Sequence, residues 1–237
     1  MRKRLQNGLH QGCHSALVFE LSKLEHLHVK QAMVGHLRHV DGGLAQRVAD
    51  GLGLPLLPLL PPAPPSARPV QDLPPSAALR TIGKAKNTLA GRCIGILVAD
   101  GSDGTAIAAL TKTAKTAGAS VKLVAPKVGG VNLSNGSKLA VDGQLAGTPS
   151  VIFDAVAVLL CGPAAKALSA ESAAVDFVRD AYGHLKAMAV DAGGQALLQA
   201  CGVRPCAGVL AVTALAEFLA AATTRQWDRE RSVRSLA

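Results

Sequence analysis

Aromatic side chains are scarce: the 237 residues hold one Trp, one Tyr and four Phe, about 3% of the chain. Stacking platforms for single-stranded nucleic acid are built from such rings. Lys and Arg outnumber Asp and Glu 25 to 16, a formal net charge of +9. The basic residues are spread along the chain, however, and no helix-turn-helix or zinc-finger pattern accompanies them, which argues against nucleic-acid binding as the main function. The basic ends, Arg2 to Arg4 and Arg225 to Arg234, are expected to be solvated or docked on a partner. The five cysteines, Cys13, Cys93, Cys161, Cys201 and Cys206, include no C-x-x-C pair. Free thiols acting as small hydrophobes in a reducing, cytoplasmic setting are the expectation. No run of about 18 apolar residues exists, and no apolar signal core follows the basic N-terminus, so neither a membrane span nor secretion is expected.

What the chain has is apolar residues, 49% of the total, and an orderly alternation of strand and helix signals from Arg92 to Val203. Cys93 to Ala99 is a near-continuous Ile/Val-rich run, the signature of a strand buried on both faces. A Gly-rich turn, Asp100 to Gly104, opens a helix expected over 105–117 and stopped by Gly118. Ser120 to Ala125 follows as a second strand, completing a βαβ unit. Ala155 to Leu160 reads as a third strand, with an Ala-rich helix over 169–182 beyond it. Lys186 to Val190 reads as a fourth, turning sharply through Asp191 to Gly194 into a helix over 195–201. Between the second and third strands, Gly129-Gly130, Asn135-Gly136 and Asp142-Gly143 are spaced as turns of a small hairpin excursion. The expected fold is an open, flavodoxin-like α/β sheet with helices on both faces.

Two further segments precede that domain. Apolar positions from Ala16 to Val40 recur every three or four residues and predict a pair of helices; Asp41 then caps a third, Leu44 to Ala49, closed by Gly51 and Gly53. Six of the seven histidines, His10, His14, His26, His28, His36 and His39, fall in this piece. His36 and His39 stand one helical turn apart, the spacing of a metal pair, but no acidic or Cys ligand matches them, and surface polarity is the simpler reading. Nine of the thirteen prolines lie between Pro55 and Pro75, which predicts an extended, semi-rigid linker. The organisation is therefore a helical tail over 1–54, a Pro-rich arm over 55–91, the α/β domain over 92–222 and a basic tail over 223–237.

The candidates for chemistry are few. The strand-turn-helix geometry at Asp191 is that of a nucleophile elbow. Asp191 and Cys161, at the carboxyl ends of two strands, are the residues placed where open sheets bind ligands. With no histidine near it in sequence, Cys161 is expected to be a packed thiol. The Gly101 to Gly104 turn offers backbone N–H groups to a phosphate, but Asp100 and Asp103 load the same loop with negative charge and no Lys follows; a helix cap explains these residues as well.

The succession of segments resembles the C-terminal portion of the large-subunit haem catalases. The resemblance is carried by Phe19 to Lys23 (FELSK), Met33 to Leu37 (MVGHL), Leu44 to Gly53 (LAQRVADGLG), Arg80 to Gly83 (RTIG), Arg92 to Gly101 (RCIGILVADG) and Phe218 to Arg234 with Trp227 at its centre. It implies that the parent protein dismutes hydrogen peroxide at a buried haem, using a distal His and Asn and an axial Tyr in an Arg-x-x-x-Tyr helix. Here the sole tyrosine, Tyr182, follows Arg179 by three places, not four, so no haem ligand of the family is carried over and no cofactor is expected to bind this chain. The barrel and haem pocket would lie N-terminal to Met1, as in a truncated or mis-started catalase. The implied partners are the catalase core and the subunits of a homotetramer. The α/β domain is similar to the DJ-1/PfpI superfamily, but the elbow cysteine of that superfamily is matched by Asp191 and its glutamate by Ala106. Two expectations follow: a non-catalytic structural and interaction domain, which should expose apolar area between Ala16 and Val40, or a stand-alone DJ-1/PfpI-like enzyme or ligand-binding module.

Overall fold

The structure, a computed structural model, describes residues 14–55, 77–78, 84 and 86–233. The linker reading of Pro55 to Pro75 therefore lies almost wholly outside the described residues. The chain divides into two compact units, one within 1–84 and one within 85–233.

The first unit is helical. Residues 14–22 form α1, followed by α2 (Leu27–Leu37) and α3 (Gly42–Gly51). Asp41 caps α3 as its position suggests, accepting a 2.7 Å hydrogen bond from the Leu44 amide. The other end closes with a Schellman motif: Leu54 N–H donates to the Ala49 carbonyl, Gly53 N–H to that of Asp50, and Gly53 takes the left-handed conformation this requires (φ +65°). Leu21, Val34, Leu44, Ala45, Val48 and Ala49 form the small core.

The second unit is built on a six-stranded sheet in the order β5-β2-β1-β6-β7-β8. Its strands are β1 (Cys93–Val98), β2 (Ser120–Ala125), β5 (Gly143–Gln144), β6 (Ala155–Leu159), β7 (Met188–Val190) and β8 (Val209–Ala211), and every pairing is parallel. β1 lies in register with β2 (Ile94 opposite Val121) on one side and with β6 (Ile94 opposite Ala155) on the other. The uninterrupted apolar runs of β1 and β6 divide by alternate residues between two cores. Ile94, Ile96, Val98, Ala155, Ala157 and Leu159 face α4 (Gly104–Thr116) and α8 (Leu215–Ala221). Leu97, Val156, Val158 and Leu160 face α5 (Gly162–Leu168), α6 (Ser172–Gly183) and α7 (Ala192–Ala200). Burial on both faces is why these strands show no period-2 polarity. Gly95 is required inside β1 because the Phe153 ring packs against it; a Cβ there would lie 2.7 Å from Phe153 Cγ.

The excursion after β2 is a two-stranded antiparallel hairpin, β3 (Val131–Asn132) with β4 (Lys138–Leu139), before the chain adds β5 to the sheet edge. Two expectations need correcting. The helix read over 169–182 is α6, starting at Ser172, and a separate helix not expected there, α5, precedes it, with Pro163 in its first turn, where a missing N–H costs nothing. The basic tail, expected to be solvated or docked on a partner, is over residues 223–233 bonded to the α/β unit itself. Arg92 donates to the Thr223 carbonyl at 2.6 Å, Arg225 to that of Asp154 at 2.9 Å, and the Gln226 amide to Leu185 at 2.8 Å. These bonds stitch the tail, through the short helix α9 (Glu230–Val233), onto the α/β unit.

Candidate functional site

In an open parallel sheet the ligand crevice forms outside the carboxyl ends of the strands, where successive connections leave in opposite directions. After β1 the chain winds outward through β2 to β5, and then returns to β6 on the other side of β1. The switch point therefore lies between the ends of β1 and β6. A cavity of about 360 Å³ occurs there, with Ala99, Asp100, Lys127, Cys161, Pro163 and Glu171 in its lining. Sequence reasoning placed Cys161 at a strand end, and the structure puts it in this crevice.

Asp191 is not in that lining. Its side chain is spent as the cap of α7, accepting a 2.7 Å hydrogen bond from the Gly194 amide, and its backbone is extended. The turn resembles a nucleophile elbow in its path but carries no left-handed residue. Gly193 and Gly194 are there because α7 runs against β6: a Cβ on either would collide with the Leu160 or Val158 carbonyl oxygen.

The Gly-rich loop after β1 is likewise consumed by the fold. Ser102, fully buried, donates through Oγ to the Leu159 carbonyl (2.7 Å) and accepts from the Ala99 amide (3.0 Å), locking the turn to β6. Gly101 N–H donates to the Asn132 carbonyl, Asp100 accepts from the Asn132 amide, and Asp103 caps α4 through Thr105 N–H. The Gly101, Ser102 and Thr105 N–H groups are thus bonded within the protein, in keeping with the helix-cap reading of the loop.

Cys161 Sγ donates to the Asp100 carbonyl at 3.3 Å, and no histidine is in the lining of the crevice. Gly101, at φ +84°, leaves room for the thiol, since a Cβ there would lie 2.8 Å from Sγ. Such a thiol lacks the histidine that activates many nucleophilic cysteines. Cys201 is inert for a different reason: burial pushes its thiol above the ordinary value, only partly offset by Arg179. His36 and His39 lie at and just beyond the end of α2. Among the described residues no group of three His, Cys, Asp or Glu side chains could hold a metal ion.

Buried charges escaped the sequence reading. Lys186, read as the start of a strand, is 1% exposed and donates to the Ser150 carbonyl at 2.6 Å. Burial lowers its pKa to about 8; Arg225 pushes the same way, against Asp154 and Asp180. An isolated Lys in an apolar segment gives no sign of this, because its partner lies 36 positions away.

The sheet order and the switch-point crevice define a doubly wound, flavodoxin-like α/β domain. Comparison with known proteins narrows this. Residues 90–230 match the C-terminal domain found in long catalases, and residues 10–52 match a family described as catalase-related immune-responsive. The chain belongs to the family of long-catalase C-terminal domains. It is 37% identical over 225 residues to Catalase C of Rhizobium meliloti (strain 1021), covering 92% of this chain and 32% of that protein. It is 37% identical over 191 residues to Catalase HPII of Mycobacterium avium, 80% of this chain and 26% of that protein. With Catalase HPII of Pseudomonas aeruginosa it shares 32% identity over 228 residues, 94% and 31% of the two chains. The chain thus spans about a third of the length of these relatives.

Proposed function

We propose that this chain serves as the C-terminal part of a haem catalase, a non-catalytic structural and interaction domain of a cytoplasmic enzyme that removes hydrogen peroxide. The peroxide chemistry then belongs to residues outside these 237, in a homotetramer to which this domain adds surface. The observation that carries the reading is the apolar area on the helical unit. Phe19 is 62% exposed, Val40 73%, and Leu24, Leu27, Val29 and Met33 also face outward. Apolar side chains gathered in one short segment mark an interaction surface, in contrast to the well-buried α/β unit. The segment belongs to the region matching the catalase-related family, so the catalytic part of a catalase is the occupant proposed for it.

The chain's own residues do not suit a haem. The sole tyrosine, Tyr182, stands on α6 with the Arg229 guanidinium 4.3 Å over its ring centroid. It is thereby engaged within its own domain. No step of peroxide chemistry is assigned to it. Among the described residues no helix is long and apolar enough to cross a membrane.

The test is immunoprecipitation from the source cells with an antibody to the α/β unit, followed by peroxide consumption and a Soret spectrum of the bound fraction. Both are expected. In cells producing the Phe19→Asp, Leu27→Asp double variant, the activity in the bound fraction should fall about tenfold or more, as when interface anchors are lost. A bound fraction without peroxide consumption would overturn the proposal. A second reading, a stand-alone DJ-1/PfpI-like module, is favoured by one observation, the exposure of Cys161 to the switch-point crevice.

A further inference from the structure

A second cavity, of about 440 Å³, lies on the α/β unit away from the strand-end crevice. One wall is the loop Arg204 to Gly208 that leads into β8; the other is the tail from Thr224 to Arg229, with Tyr182 and Ser232 completing the lining. Its volume falls within the range of small-molecule sites. Pro205, Ala207 and the half-exposed Trp227 supply apolar surface. The charge is one-sided, with Arg204, Arg225 and Arg229 against the single carboxylate of Asp228, which is exposed.

Arg229 is the unusual member. It is only 4% exposed, and its Nη1 donates to the carbonyls of Lys186 (2.9 Å) and Tyr182 (3.2 Å). The Tyr182 ring supports the guanidinium from one face. Its Nε and Nη2 are buried and have no partner. Those two nitrogens form one edge of the planar fork, the edge that takes two oxygens of a carboxylate or phosphate side by side. A buried charged donor left unmade is among the costliest polar arrangements in a folded protein, and such an orphan calls for an explanation. Arg225 cannot neutralise it, being a cation itself and bound to the Asp154 carbonyl. Gly208 packs closely against that edge and against Gln226: a Cβ at this position would lie 2.6 Å from Arg229 Nη2 and 2.8 Å from Gln226 Cδ.

We infer that this cavity is a binding site for a small oxyanion-bearing ligand, a carboxylate or phosphate group held by the Nε/Nη2 edge of Arg229 with an organic body against Trp227. Arg229 is fixed in advance by the two carbonyls and the Tyr182 ring, so little side-chain freedom is lost on binding. Arg204, at the exposed mouth, adds attraction rather than a fixed contact.

The test uses the full chain and the fluorescence of Trp227, the only tryptophan. Inorganic phosphate and, separately, butyrate are titrated at constant ionic strength, with chloride as the control. A saturable change with at least one of them is expected; which one responds separates a phosphate ester from a carboxylate ligand. Arg229→Lys keeps the charge and removes the fork, and should weaken that binding about ten- to a hundredfold. Arg204→Gln changes an exposed side chain, leaves the fold intact, and should weaken it about two- to fivefold; it decides the matter should the Arg229 variant fail to fold. The inference is overturned if neither anion does more than chloride, or if binding is unchanged in every variant that folds.

Discussion

Lys186 offers the most quantitative check on the way the tail and the α/β sheet are joined. The perturbation is Lys186→Met, an unbranched apolar side chain of similar length. A lysine that titrates near 8 in the folded chain and near 10.5 when unfolded burdens the folded state below pH 8 with up to about 3 kcal/mol. Because the folded pKa is depressed, the folded chain binds fewer protons than the unfolded chain between these two values. Stability therefore rises with pH across that window, and the penalty is gone above it. The hydrogen bond to the Ser150 carbonyl survives deprotonation, since a neutral amine still donates. Removing the side chain leaves that carbonyl unpaired at a cost of about 1 kcal/mol, so the variant should exceed wild type by about 1–2 kcal/mol at pH 7. The assay is urea unfolding followed by Trp227 emission, which reports on the α/β unit alone, at several pH values between 7 and 10.5. The quantity of interest is the difference between wild type and variant, because groups common to both cancel. That difference should move in favour of wild type by up to about 3 kcal/mol on passing from pH 7 to 10.5. A difference independent of pH would refute the burial of Lys186 beneath Arg225.

Three other outcomes follow from the structure. Gly194→Ala should destabilise the α/β unit by about 3 kcal/mol in the same unfolding assay, as the new methyl group meets the Val158 carbonyl. Gly147→Ala, with nothing within 4 Å of the added carbon, should change stability by no more than about 0.5 kcal/mol. Cys161, with no histidine in the lining of its crevice, should react with iodoacetamide at pH 7 no faster than a free cysteine in solution. A rate about a hundredfold higher, lost in Cys161→Ser, would favour the DJ-1/PfpI-like reading instead.

Much of the α/β unit was legible along the chain. β1, α4, β2 and β6 were readable because strands buried on both faces and helices with caps carry their signals locally: Val/Ile runs, Asp103 before α4 and Gly118 after it. α5 was missed because Pro163 reads as a breaker unless the first turn of a helix is recognised. β8 was missed because Val209–Ala211 is three half-buried or exposed residues, too short to show a period. The candidate site was legible only as a list of residue types at strand ends; which of them face a cavity depends on strand order. Cys161 and Asp191 follow neighbouring strands, yet one lines the crevice and the other caps a helix.

The sequence by itself determined the class of the fold and the family, through apolar runs, caps and turn glycines whose meaning is set within ten or twenty residues. Tertiary structure alone decided what the charges do. Arg229 and Lys186 are ordinary basic residues in the chain, and only the closure of the tail over the end of α6 and the start of β7 takes them out of water. Burial is a property of what lies opposite, and for these two side chains what lies opposite is supplied by segments about forty positions away. The same closure leaves one edge of the Arg229 guanidinium without a partner.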